Sequence, residues 1–237
     1  MMRKASPVHV SKRNDGISLY LKRVFALMFG AVGITAIASF VTMATPLGAL
    51  LFAGNGLLYY ILLFGGLALS IWAQARAFHL KPSTGALLLA LYSITIGIVL
   101  TPLLLMSLVH NPWTILFAFI ISAVMFACMA LFGYKTARDL SFLRVFLFMG
   151  MIGLILVGLA SFIWPALVGG TSGTIFCLIG VLVFALFTAY DMQTLKAAYN
   201  YVGDETQKNQ LAVLGALHLY ISFIAMFQYI LSLFNRD

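Results

Sequence analysis

Seven apolar runs, each long enough to cross a bilayer, decide what this chain can fold into. They lie at about 21–44, 57–78, 84–107, 113–133, 142–164, 174–196 and 211–234. A membrane-spanning helix needs about 20 residues, so seven of them occupy most of the 237 residues. A soluble fold is excluded by charge: 8% of residues are charged, against roughly 25% in soluble domains. The expectation is an all-α integral membrane protein with seven transmembrane helices at 21–237, a basic tail at 1–20, and no second domain. The tail lacks a signal-peptide pattern, because no small-residue cleavage site follows a short apolar core.

The breaks between runs carry turn chemistry: Thr45-Pro46-Leu47-Gly48, Lys81-Pro82-Ser83, Asn111-Pro112 and the stretch from Pro165 to Gly173. Gly203-Asp204-Glu205 marks the most polar break. Cys128 and Cys177 fall near opposite membrane faces, too far apart for a disulfide. Glycine pairs such as Gly30/Gly33, Gly65/Gly66 and Gly150/Gly153 read as packing positions where helices approach closely.

The net charge of +8 is placed by topology. Arg3, Lys4, Lys12, Arg13, Lys22 and Arg23 precede or open the first run. Arg76 and Lys81 follow the second, Lys135, Arg138 and Arg144 the fourth, and Lys196 and Lys208 the sixth. Arg236 alone falls on the other side. This alternation satisfies the positive-inside rule at every crossing and requires an odd helix count. It predicts a cytoplasmic N-terminus, an external C-terminus and basic loops in contact with anionic lipid. No nucleic-acid partner is needed to explain the basic excess.

Apart from Tyr and Cys, two ionisable residues lie well inside the runs: Asp191 in the sixth and His218 in the seventh. A carboxylate in hydrocarbon is costly and normally faces a cavity or a partner. Asp191 sits five residues, roughly 8 Å, from the end of its helix at Lys196. His218 lies roughly 10 Å inside the seventh run and Ser222 roughly 17 Å. Asp191 and His218 are thus expected at one level. Gly215, His218, Ser222 and Ala225 share a small, polar face of the last helix, expected to point into the bundle. Two readings of Asp191 stay open at this point: a fixed hydrogen-bond acceptor, or a proton- or cation-responsive group. His218 reads more readily as a packing residue, because a lone histidine in a helix is more often a satisfied packing group.

Three segments carry a family resemblance: Gly133-Tyr134-Lys135-Thr136-Ala137-Arg138-Asp139-Leu140-Ser141, Thr188-Ala189-Tyr190-Asp191-Met192-Gln193 and Gly215-Ala216-Leu217-His218-Leu219-Tyr220. Tyr92-Ser93 with Gly97, and Arg23 leading to Gly30 and Thr35, fit the same pattern. The chain resembles the Bax inhibitor-1 family in its bacterial branch, over roughly 20–235. The resemblance implies a seven-helix bundle with the last helix central and the other six around it. It also implies a pH-sensitive calcium or proton leak, in which an aspartate of helix six pairs with one of helix seven. Two close carboxylates cannot both ionise cheaply, so they share a proton. Asp191 matches the first acid. The second position is Ser222, and the asparagine often found three residues later is Ala225. Other bacterial relatives are thought to act as partners or modulators of a membrane protease, which would need no acid pair.

The residues argue against catalysis. An aspartyl protease divides acid and base work between two carboxylates, and the runs hold one. A zinc hydrolase needs at least three ligands, whereas His9, His79 and His110 lie on the tail or loops. The expectation is a non-enzyme without cofactor. Its candidate pH-sensor or ion-pathway residues are Asp191, His218 and Ser222. The motif loop contributes Tyr134, Thr136, Arg138 and Asp139, with Asp139 expected to accept the first free amides of the following helix.

Overall fold

The computed structural model describes residues 7–46, 48, 57–76 and 81–236. Arg3, Lys4, His79 and the end of the second run lie outside the described residues. Helices α1 (Pro7–Ala44), α2 (Leu57–Arg76), α3 (Pro82–His110), α4 (Trp113–Lys135), α5 (Ser141–Ala160), α6 (Gly170–Tyr199) and α7 (Glu205–Phe234) follow one another, with a short 3-10 turn at Pro165–Val168 before α6. Six are long and apolar enough to cross a membrane, and α2 carries the shorter apolar stretch Tyr59–Leu69. Helices are the expected answer to hydrocarbon, which offers the backbone no hydrogen bonds.

The helices outrun the apolar runs at several ends. α6 extends to Tyr199 and α7 begins at Glu205, because hydropathy registers lipid contact rather than helix termini. At the other end of the chain, Ile17 and Tyr20, assigned to the tail by composition, are buried within α1. Tyr20 packs at a tilt against Tyr199, ring centres 5.1 Å apart, and donates to the Leu211 carbonyl at 3.5 Å. The helix therefore begins well before the membrane run and braces the α6–α7 turn.

Helix α7 is the axis. In its most apolar window 72% of residues are buried, against 11% in α5. It packs on α6, α1, α4 and α3. The remaining two are peripheral: α2 leans chiefly on α3, and α5 on α6. The expected ring of six around the last helix is therefore an inner ring of four with two outriders. Outward-facing residues are large and apolar, including Phe40, Val109, Phe142, Val145 and Met149. That surface suits lipid tails and would be intolerable in water.

Antiparallel α6 and α7 keep one register over their full length. Leu195 meets Gly215, Asp191 meets His218, Gly180 meets Tyr229, and Gly173 meets Arg236. The end opposite the basic loops, called the neutral end although it holds Arg236, is closed by Asn235, whose Nδ2 donates to Ser107 Oγ at 2.7 Å. Cys128 is exposed and Cys177 buried, both free.

The α1–α3 seam is tight for a specific reason. A Cβ on Gly97 would sit 2.6 Å from the Thr35 carbonyl oxygen and 2.7 Å from Ala38 Cβ. The close approach lets Ser39 Oγ donate to the Gly97 carbonyl at 2.7 Å, which also accepts from Thr101 Oγ1 at 3.0 Å. These bonds flank Pro102, where α3 lacks an amide. The glycine pairs singled out in the sequence behave differently. Gly66 and Gly150 touch α3 and α6, but Gly30, Gly33, Gly65 and Gly153 meet nothing within 4 Å. Small size alone does not mark a helix contact. We expect Gly97→Ala to destabilise the bundle by about 1–3 kcal/mol and Gly33→Ala to leave it unchanged, read as thermal unfolding in detergent; equal midpoints for the two would contradict this seam.

Candidate functional site

The last helix presents His218 to α6 at the depth of Asp191. His218 Nδ1 lies 4.0 Å from Asp191 Oδ1. That is beyond a direct hydrogen bond but within ion-pair reach, and a distance at which one water can bridge. The carboxylate side chain is 13% exposed and the imidazole 34%, so the acid is the more covered of the two and neither is fully enclosed. Among the described residues, His218 supplies the one Lys, Arg or His nitrogen within 4.0 Å of this acid. Lys196, further along α6, is engaged elsewhere: its Nζ donates to the Tyr134 carbonyl at 2.7 Å and lies 4.6 Å from the Tyr134 ring centre. Ser222 is buried one turn beyond His218 on α7, at 3% exposure.

The motif loop does not join this pair. It clamps the side of α6 that packs on α4. Gly133 is buried where α4 crosses α6, and a Cβ there would strike the backbone of Ala189. Gln193 Oε1 accepts from the Leu140 amide at 2.9 Å, and its Nε2 donates to the Arg138 carbonyl at 2.7 Å. One side-chain amide thus satisfies both a donor and an acceptor of the loop backbone. Thr136 Oγ1 accepts from the Arg138 amide at 3.3 Å. Arg138 itself projects outward, as a snorkelling cation does.

Asp139 caps α5 from one position outside the expected one. Leu140 occupies the N-cap and makes no side-chain cap bond. Asp139 Oδ1 instead accepts from the Ser141 amide at 2.9 Å and from Ser141 Oγ at 2.6 Å. The geometry is an Asx turn. These two hydrogen bonds favour the ionised carboxyl and hold its pKa below the usual carboxylate range.

A second polar cluster lies at mid-bundle, and reasoning from ionisable residues missed it. Tyr220 is fully buried on α7. Its hydroxyl lies 2.6 Å from Thr35 Oγ1, which is within reach of the Ala31 and Ser93 carbonyls at 3.0 and 3.2 Å. Thr35 has one hydrogen for those carbonyls, so Tyr220 donates to Thr35. Tyr92 packs edge-on against the Tyr220 ring at 5.8 Å. The sequence signal was present in the neutral motif residues Thr35, Tyr92, Ser93 and Gly97.

The motif segments thus contribute to three joints: α4–loop–α6, α1–α3–α7 and the α6–α7 contact at Asp191 and His218. Residues 17–237 match the family described as Inhibitor of apoptosis-promoting Bax1. The chain belongs to the Bax inhibitor-1 family. It is similar to the inner membrane protein YbhL of Escherichia coli K12, with 33% identity over 227 residues covering 93% of each chain. An uncharacterized protein of Caulobacter vibrioides is 35% identical over 190 residues, 78% of this chain and 73% of the relative. The uncharacterized protein RP147 of Rickettsia prowazekii is 29% identical over 220 residues, 92% of this chain and 89% of the relative. With its apolar helices, this places the chain among multi-pass proteins of bacterial inner membranes.

Two measurements check the clamp. Gln193→Ala should free the loop, raising the rate of tryptic cleavage at Arg138 severalfold while the melting profile barely moves; an unchanged rate would show that Gln193 does not hold it. For Asp139 the folded-state pKa is depressed, so its contribution is present above the unfolded pKa and is lost as pH falls through the folded one. Asp139→Asn should therefore remove part of the acid-side loss of stability, seen as a flatter melting temperature as pH falls through and below the ordinary carboxylate range.

Proposed function

We propose that this family member is a pH-responsive cation leak whose gate is the α6–α7 contact at Asp191 and His218. One observation carries the reading: a mostly buried carboxylate meets a titratable imidazole on the central helix, 4.0 Å away. An acid inside the bundle is expensive unless it is paired or switched, and its partner is a side chain that changes charge near physiological pH. From the other packed elements, α4 brings the Gly133 backbone and Tyr134, and the loop brings the Arg138 carbonyl and Leu140. The nearest charged group of α6 itself, Lys196, is engaged by Tyr134.

The conducted species in this reading is a proton or a small cation. Calcium takes six to eight oxygens, and one carboxylate beside an imidazole supplies too few to hold it. In this reading the Asp191 end faces the cytoplasm and the C-terminus lies outside, the orientation that basic cytoplasmic loops favour. The protein is then a conduit and not an enzyme.

Proteoliposome flux tests this directly. Wild type should leak cations with a pH profile that Asp191→Asn abolishes and Ser222→Asp shifts by restoring a second acid on α7. Identical flux and profile in wild type and Asp191→Asn would end the proposal.

A second reading rests on α5. Phe142, Val145 and Met149 are each more than two-thirds exposed, and this helix leans chiefly on α6. Such a face suits a neighbouring transmembrane helix, as a non-transporting modulator of a membrane protease or another membrane protein would require.

A further inference from the structure

A groove of about 470 Å³ opens between α1 and α4, with α3 and α7 as its floor. It runs from Val32 to Met43 along α1, and reaches Leu108 on α3 and Pro112 on α4. At 1.5 Å per residue its length is roughly 16 Å. Pro112 precedes α4 and Leu108 lies in the last turn of α3, so the outer limit of the groove is the neutral end of the bundle. Its inner limit is Val32, one turn inside Thr35, which bonds Tyr220 near the middle of α7. The groove therefore spans one half of the membrane thickness.

The walls demand nothing polar. Thr35 and Ser39 line it, but both hydroxyls are committed, Thr35 to Tyr220 and backbone carbonyls and Ser39 to the Gly97 carbonyl. The rest of the lining is apolar apart from backbone. The mouth is continuous with the outward surface, since Phe40 is 69% and Leu116 46% exposed.

We infer that this groove binds one acyl chain of a phospholipid from the leaflet at the neutral end. Three quantities select that occupant. The length matches one leaflet of hydrocarbon, about 15 Å, or half of a core about 30 Å thick. The volume, about 470 Å³, falls in the range of a small-ligand site, roughly 300–1,000 Å³, and gives room for a hydrocarbon chain. A slender, flexible chain can mould to such walls. The inner end stops at Val32, one turn inside the satisfied Thr35 hydroxyl, so the occupant ends there in hydrocarbon. Its headgroup then lies beside Asn111 and Trp113 at the start of α4. Trp113 is 64% exposed, and an amphipathic ring is the side chain favoured at headgroup level. The site needs only that the chain is embedded in lipid and is independent of any leak.

The experiment uses the full chain, reconstituted in nanodiscs of phosphatidylethanolamine and phosphatidylglycerol and released into mild detergent for native mass spectrometry. Wild type should retain a phospholipid adduct. Ala36→Phe, at an exposed groove position, should lose most of it, while Gly153→Phe on α5, where nothing lies within 4 Å, should keep it. No adduct in wild type, an adduct undiminished in Ala36→Phe, or equal loss in both variants overturns the site. A dimer that Ala36→Phe dissolves also overturns it, by giving the groove to a second copy. A second measurement does not depend on Ala36. With the three native tryptophans replaced by Phe, a tryptophan at Leu116→Trp should be quenched by lipid with brominated chains more than one at Phe146→Trp. It should also recover more slowly on dilution into plain lipid. Equal quenching and recovery would mean ordinary lipid contact and would overturn the proposal.

Discussion

In hydrocarbon, a polar group without a partner costs several kcal/mol, and the interior of this bundle is organised around that cost. Buried hydroxyls turn back on carbonyls one turn earlier, as Ser93 does to Leu89, Ser122 to Ala118 and Thr188 to Phe184. Where a hydroxyl bridges helices, the backbones must come close, and Gly97 permits this between α1 and α3. Polar satisfaction and helix spacing are thus one problem, solved by placing Thr35 and Ser39 opposite a residue without a side chain. The low dielectric that makes an orphan expensive also strengthens each completed bond.

Central placement of α7 follows from the same cost. Asp191 needs an in-bundle partner, Tyr220 needs an acceptor, and both solutions are built on this helix. Its faces are therefore unequal in chemistry. Toward α6 it offers Gly215, His218 and Tyr229. Toward α1 and α3 it offers Tyr220. Toward α4 it offers Phe223 and Phe227, whose rings pack edge-on against Phe119. A helix that is specified on every side has nowhere to go but the middle, and α5, specified chiefly toward α6, stays outside.

Much of this was legible in the residues. The seven helices followed from apolar length, and the family from three motif segments. The level shared by Asp191 and His218 came from counting residues from helix ends, and the 4.0 Å contact lies at that level. Other features were hidden for physical reasons. Hydropathy cannot show that α1 continues to Pro7, because its pre-membrane turns are stabilised by Tyr199 and Leu211, far away in sequence. Glycine spacing cannot tell a crossing from an outward face, so Gly30 and Gly33 looked like Gly97. Tyr220 and Thr35 carry no charge, and a search for ionisable groups passes over neutral hydroxyls, although hydrocarbon penalises them too. The groove belongs to four helices and has no signature in any one of them.

With Ser222 at the position of the second acid, Asp191 meets an imidazole from one turn earlier on α7 rather than a carboxylate. Two carboxylates are held together by a shared proton and pushed apart when both ionise. Their contact is therefore favoured on the acid side and weakened as pH rises. A carboxylate and an imidazole attract when the first is ionised and the second protonated. An acid and an imidazole have no protonation state in which both carry the same charge, so this contact lacks the repulsion that drives an acid pair apart. With Ser222 neutral and buried one turn further along α7, nothing at that position restores the like-charge repulsion. A contact of this kind differs in its electrostatics from one between two acids. The difference arises from the charge type of the partner side chain, on a backbone that is otherwise shared.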